Sequence, residues 1–159
     1  MTRIEGSVVI HAPVQKVFAF AADWRKWPDW FEGVSNFRPT TDVIRGNGAR
    51  YAYRARLIGI PAAVETEIHD FVENAGWTGV ATKGVPHKTQ WVFETQGDDT
   101  RFTYILEYEL PVPLIGALLN SLLIEREWRR IINKSLRNLK TRFPSERNSD
   151  SSTENKEGA

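Results

Sequence analysis

All four tyrosines of this 159-residue chain stand where they could give or take a proton. Tyr51, Tyr53, Tyr104 and Tyr108 fall at alternate positions of strand-like runs, and Glu125 and Arg129 lie one turn apart on a helical stripe. A phenol or carboxyl held beside an enolisable carbonyl serves as general acid or base. A carboxylate enclosed by apolar groups has its pKa raised toward neutrality, whereas one paired with Arg129 is satisfied without chemistry. The same hydroxyls can simply orient a guest, and that non-catalytic role is the expectation.

Other chemistries find less support. His11 ends a strand on the surface side, and His87 lies beside a turn at Pro86. His69 shares a strand face with Glu65 and Glu67, but two ligands on an outer face are usually a solvated surface, so no metal is expected. No cofactor is expected either. No Gly-x-Ser-x-Gly elbow occurs, and Gly46-Asn47-Gly48 lacks the lysine and following helix of a phosphate loop. Those glycines fit a hairpin turn. With no cysteine, disulfides, thiolate metal sites and cysteine nucleophiles are excluded.

The elements that must hold the tyrosines follow from periodicity. A first strand ends in Val8-Val9-Ile10-His11, and Pro13 suits the opening turn of a short helix through Val17 and Phe18. A second short helix carries Trp24, Trp27 and Trp30. Ala49, Tyr51, Tyr53, Ala55 and Leu57 share one strand face while Arg50, Arg54 and Arg56 share the other, up to a break at Gly59-Ile60-Pro61. Val64, Thr66 and Ile68 line the next strand, which turns at Asn74-Ala75-Gly76; Trp77 to Lys83 form another. Thr89, Trp91 and Phe93 face inward on the strand after Pro86, and Phe102, Tyr104, Leu106, Tyr108 and Leu110 do so on the last. Pro111-Val112-Pro113 ends the pairing, and Leu114 to Phe143 reads as one long helix. Its stripe of Leu118, Leu122, Glu125, Arg129, Ile132, Leu136, Leu139 and Phe143 is apolar at both ends and charged in the middle.

The chain contains 21 Lys and Arg against 20 Asp and Glu, so no strong field gathers nucleic acid, and none is expected as a partner. Length and a 41% hydrophobic content fit one domain, 1–144. Residues 145–159 have no side chain able to form a core and are expected to be a disordered polar tail. Met1 to Glu5 lack the apolar run of a secretory signal, which makes the cytoplasm the expected location. The apolar segment 114–124 is too short to span a bilayer; it is read as a buried helix, with transient membrane contact or a face for a second copy as the other readings, and the protein as a monomer or homodimer.

In Ile10-His11-Ala12-Pro13 with Val17-Phe18, in Asp23 with Trp27-Pro28-Asp29-Trp30, and in Ser135-Leu136-Arg137-Asn138-Leu139-Lys140, the chain resembles the START-like superfamily, and within it the polyketide cyclase/dehydrase and lipid-transport group. The resemblance covers residue 1 to about residue 143. It implies an α+β helix-grip fold, a curved antiparallel sheet of about seven strands with two short helices wrapped around one long C-terminal helix. It also implies a deep, largely apolar cavity for a lipid, isoprenoid or polyketide-like aromatic ligand. On that mapping Tyr51, Tyr53, Ile68, Trp91, Phe93, Tyr104, Leu106 and Tyr108 form the wall, with Leu118, Leu122 and Glu125 from the helix. Trp27 and Trp30 are expected as anchors, and Trp24, which departs from the family pattern, as the rim. The expected function is a carrier or sensor of a hydrophobic molecule; the alternative is a cofactor-independent cyclase or dehydratase using cavity Tyr and Glu residues.

Overall fold

The computed structural model describes residues 1–57, 60–109 and 117–145, with backbone alone at 57, 60 and 117–120. Strand β1 (Thr2–Ile10) leads into α1 (Val14–Ala21), a 3₁₀ turn (Trp24–Lys26) and α2 (Trp27–Trp30). Strands β2 (Val34–Pro39), β3 (Arg50–Leu57), β4 (Ile60–Val72), β5 (Gly76–Lys83), β6 (His87–Gln96) and β7 (Asp99–Tyr108) precede the long helix α3 (Ala117–Thr141). All seven strands join one curled antiparallel sheet in the order β1-β7-β6-β5-β4-β3-β2. This is the helix-grip architecture that the sequence resemblance implied.

Alternation decides which face is covered. Tyr51 and Ala55 on β3, Val64 and Ile68 on β4, Trp91 and Phe93 on β6, and Phe102, Tyr104, Leu106 and Tyr108 on β7 are all buried. Helix α1 buries Val14, Val17, Phe18 and Ala21, the three-and-four spacing of one helical face. Asp23 caps the 3₁₀ turn by accepting from the Arg25 backbone N–H at 3.1 Å. Helix α3 docks through Ile131, Ile132, Ser135, Leu136 and Leu139. It rests on β1 at Gly6, where an added Cβ would lie 2.9 Å from Leu136 Cδ1 and 3.0 Å from Ile132 Cγ2. Gly6 stands opposite Tyr104 in the ladder, so this close helix-to-sheet approach is beside a candidate site residue.

Three expectations change. The break at Gly59-Ile60-Pro61 is not the start of a separate turn on its Pro61 side: β4 already runs from Ile60, and Pro61 pairs with Arg56. Pairing of β4 with β5 begins only at Glu65, so the missing Pro61 N–H costs no bond on that side. Gly46 and Gly48 sit in a ten-residue connection, 40–49, rather than a tight hairpin; both have φ +84, and Gly48 N–H donates to the Ile68 carbonyl at 2.9 Å. Glu125 and Arg129 need no cavity to satisfy them, because they pair with each other at 2.8 Å while their side chains are 35% and 50% exposed. Leu110 to Gly116 and the tail from 146 lie outside the described residues, as does the side chain of Leu118.

Candidate functional site: an aromatic cavity under the sheet

The site is built from rings. Trp27 of α2, Phe31 beyond it, Val34 and Phe37 of β2, Tyr51 and Tyr53 of β3, Thr66 and Ile68 of β4, Trp77 of β5, Thr89 and Trp91 of β6, and Tyr104 of β7 surround a cavity of about 50 Å³. At roughly 10–15 Å³ per water this holds only a few water molecules, far below the roughly 300–1,000 Å³ of an open ligand pocket. Rings occupy the remaining depth. Trp27 meets Tyr51 edge-on at 4.8 Å, Trp77 lies 4.7 Å from Trp91, and Phe31 stacks on Trp91 at 22°.

Its polar groups are few and mostly committed. The Tyr53 hydroxyl lies 3.0 Å from Thr66 Oγ1 and 3.3 Å from His87 Nε2, and His87 Nδ1 is 2.8 Å from the Val85 carbonyl. A carbonyl accepts only, so neutral His87 donates from Nδ1 to Val85 and accepts the Tyr53 proton at Nε2; Thr66 then donates to the Tyr53 oxygen. Burial pushes the Tyr53 phenol up to about 12, against the Thr66 hydrogen bond. Burial lowers His87, with the Val85 bond opposing. Tyr104 is pushed up further still, mainly by burial and also by the neighbouring Tyr53, with the nearby Trp91 side chain opposing. Tyr51 donates to the Ile44 carbonyl, and burial raises its pKa as well. These phenols are therefore neutral hydrogen-bonding groups at ordinary pH, not bases.

Of the residues selected from sequence, the fold brings Tyr51, Tyr53, Ile68, Trp91 and Tyr104 to this cavity. Phe93 packs behind it, stacked on Phe102 at 4.6 Å and set edge-on to Phe18. Leu106 and Tyr108 are buried toward the other end of β7, with Tyr108 6.5 Å from Trp128. Leu122 is 60% exposed, and Glu125 faces Arg129. Trp24 borders a separate surface hollow with Ala19, Ala22, Ile44 and Arg45, and the Arg25 guanidinium lies over its ring.

Residues not selected complete the wall. Trp27 does anchor α2, its indole N–H donating to the Ala21 carbonyl at 2.8 Å, yet its ring also lines the cavity. Trp30 packs against Trp91 and Phe102, away from the cavity. Val34 and Phe37 face inward three residues apart, because a bulge between Ser35 and Arg38, with Asn36 at φ +57, breaks the alternation that would have revealed them. Thr66 and Thr89 were legible as inward positions, but hydroxyls among large rings carried no separate signal; Trp77 was read only as the start of a strand, with no face assigned.

The family description "Polyketide cyclase / dehydrase and lipid transport" matches residues 1–144. The chain belongs to this family. Solved structures share the helix-grip fold of this polyketide cyclase/dehydrase and lipid-transport member. The protein TTHA0849 from Thermus thermophilus superposes with a TM-score of 0.77 at 21% identity, covering 89% of this chain and 97% of its own. A START superfamily protein from Mycobacterium smegmatis gives 0.72 at 14% identity, covering 89% and 99%. The protein XoxI from Bacillus cereus gives 0.65 at 13% identity, covering 90% and 96%. No curated protein matches the chain. Among the described residues of the family member, no three His, Asp or Glu side chains converge as a metal site, and no helix is long and apolar enough to cross a membrane.

Proposed function

We propose that this family member binds a compact hydrophobic molecule between the sheet and its helices, as a carrier or sensor. The observation supporting this is the aromatic wall, in which the indoles of Trp27, Trp77 and Trp91 surround a few neutral hydroxyls and, among the described residues, no charged side chain. A ring-sized guest needs small displacements of those side chains, whereas a long lipid chain needs the wall to open. Catalysis as a cyclase or dehydratase is the weaker reading, because burial disfavours the phenolate that a general base would need and Glu125 pairs with Arg129 away from the cavity lining.

Native mass spectrometry of the purified protein, followed by solvent extraction, tests the proposal. A reproducible one-to-one apolar adduct is expected. A clean apo mass that persists after adding aromatic and isoprenoid compounds removes the binding reading. Turnover of a polyketone by the wild type that disappears in Tyr104→Phe replaces binding with catalysis.

A further inference from the structure

We infer that the cavity selects uncharged ligands bearing a hydrogen-bond acceptor oxygen, and that the Tyr104 hydroxyl is the group that recognises this oxygen. The inference rests on the hydrophobic-ligand reading and specifies its chemistry.

Tyr104 is only 5% exposed and lines the cavity. Its ring lies 5.7 Å from that of Trp91, and no hydrogen bond of ordinary geometry joins its hydroxyl to a described residue. That leaves the Tyr104 proton without an acceptor among the described residues. A donor that faces a small, largely aromatic cavity finds few partners there, and an oxygen brought by a ligand supplies one.

Of the neighbouring hydroxyls only Thr89 can compete for that oxygen. Tyr53 gives its proton to His87, and Thr66 gives its own to Tyr53. Thr89 Oγ1 lies 3.5 Å from the Gly79 carbonyl, the outer limit of a hydrogen bond. Because burial holds the Tyr104 phenol in its neutral form, it remains a donor throughout the physiological pH range. An ionised carboxylate or phosphate meets the opposite situation. It would lose its water among aromatic rings and gain no cation in return, so charged relatives of the ligand are excluded. A ketone, an ester carbonyl and an ether share the acceptor chemistry that Tyr104 reads.

Three matched probes separate these effects: acetophenone, ethylbenzene and benzoate, titrated by ligand-detected NMR against the wild type and Tyr104→Phe. Partition from water alone favours ethylbenzene over acetophenone, so a preference for the ketone reports a hydrogen bond and not burial. The wild type is expected to bind acetophenone more tightly than ethylbenzene and to leave benzoate unbound. Tyr104→Phe is expected to weaken acetophenone about tenfold, the size of one hydrogen bond, and to hold ethylbenzene within about twofold. If Tyr104→Phe fails to fold, Thr89→Val takes its place: a ketone preference that survives there supports Tyr104, and one that disappears overturns the inference. Binding of both neutral probes without ketone preference, or a preference that survives in Tyr104→Phe, overturns the inference and leaves hydrophobic binding standing. Benzoate binding as tight as acetophenone overturns the exclusion of charge. Failure of all three to bind the wild type removes the hydrophobic-binding reading and this inference with it.

Discussion

His87 couples the cavity wall to pH through Tyr53. Its Nε2 faces the Tyr53 hydroxyl at 3.3 Å, and burial holds its pKa below the ordinary 6.5 that it has when unfolded. Between those two values the unfolded chain binds more protons than the folded one, so the contribution is complete above pH 6.5 and is lost as the pH falls through the folded value. The wild type is therefore expected to lose thermal stability on acidification in that window. His87→Gln should show a smaller loss when melting temperatures of the two proteins are compared at pH 7 and at pH 5. Equal slopes would detach His87 from any such role. At this scale the sequence revealed the four tyrosines and their inward faces, but not the partner of Tyr53. His87 opens a strand next to Pro86, and its contact with Tyr53 spans strands that are not sheet neighbours.

Among the elements, contact of α3 with β1 depends on the absence of a side chain at one position. Gly6→Ala would place a methyl 2.9 Å from Leu136 and 3.0 Å from Ile132, both closely packed. Overpacking of this kind costs about 1–3 kcal/mol, which a urea denaturation midpoint resolves. An unchanged midpoint would mean that α3 shifts freely on the sheet. Strand β2 shows where element-level reading stops. Its bulge carries Val34 and Phe37 to one side three residues apart, a spacing that a strict period of two assigns to opposite faces. The strands with unbroken alternation, β3, β6 and β7, were read with the correct inward faces, because one solvated and one covered face leaves a direct pattern in the residues.

Across the whole molecule, α3 has two unlike halves. From Ser121 to Arg130 its side chains are half-buried or exposed, with Leu122 and Leu123 open to solvent, while Ile131, Ile132, Ser135, Leu136 and Leu139 lie in the core. Helical amides are protected by tertiary packing more than by intrinsic propensity. Hydrogen exchange should accordingly be faster over 122–129 than over 132–139, by about tenfold or more. Uniform protection along the helix would contradict this division. The order of strands, short helices and long helix was legible because each has its own hydrophobic period and turn residues. The size of the cavity was not, since alternation says which residues face inward and nothing about how closely their rings meet.

The rings bear on how the protein interacts with light. Of its six tryptophans, Trp27, Trp77 and Trp91 surround the cavity, and the centroids of the last two are 4.7 Å apart. At that separation the two indole transition dipoles couple, and their coupling depends on the spacing and tilt of rings that line the cavity. A molecule that parts these two rings, as the proposed binding requires, would change the protein's own circular dichroism, with no dye or label attached.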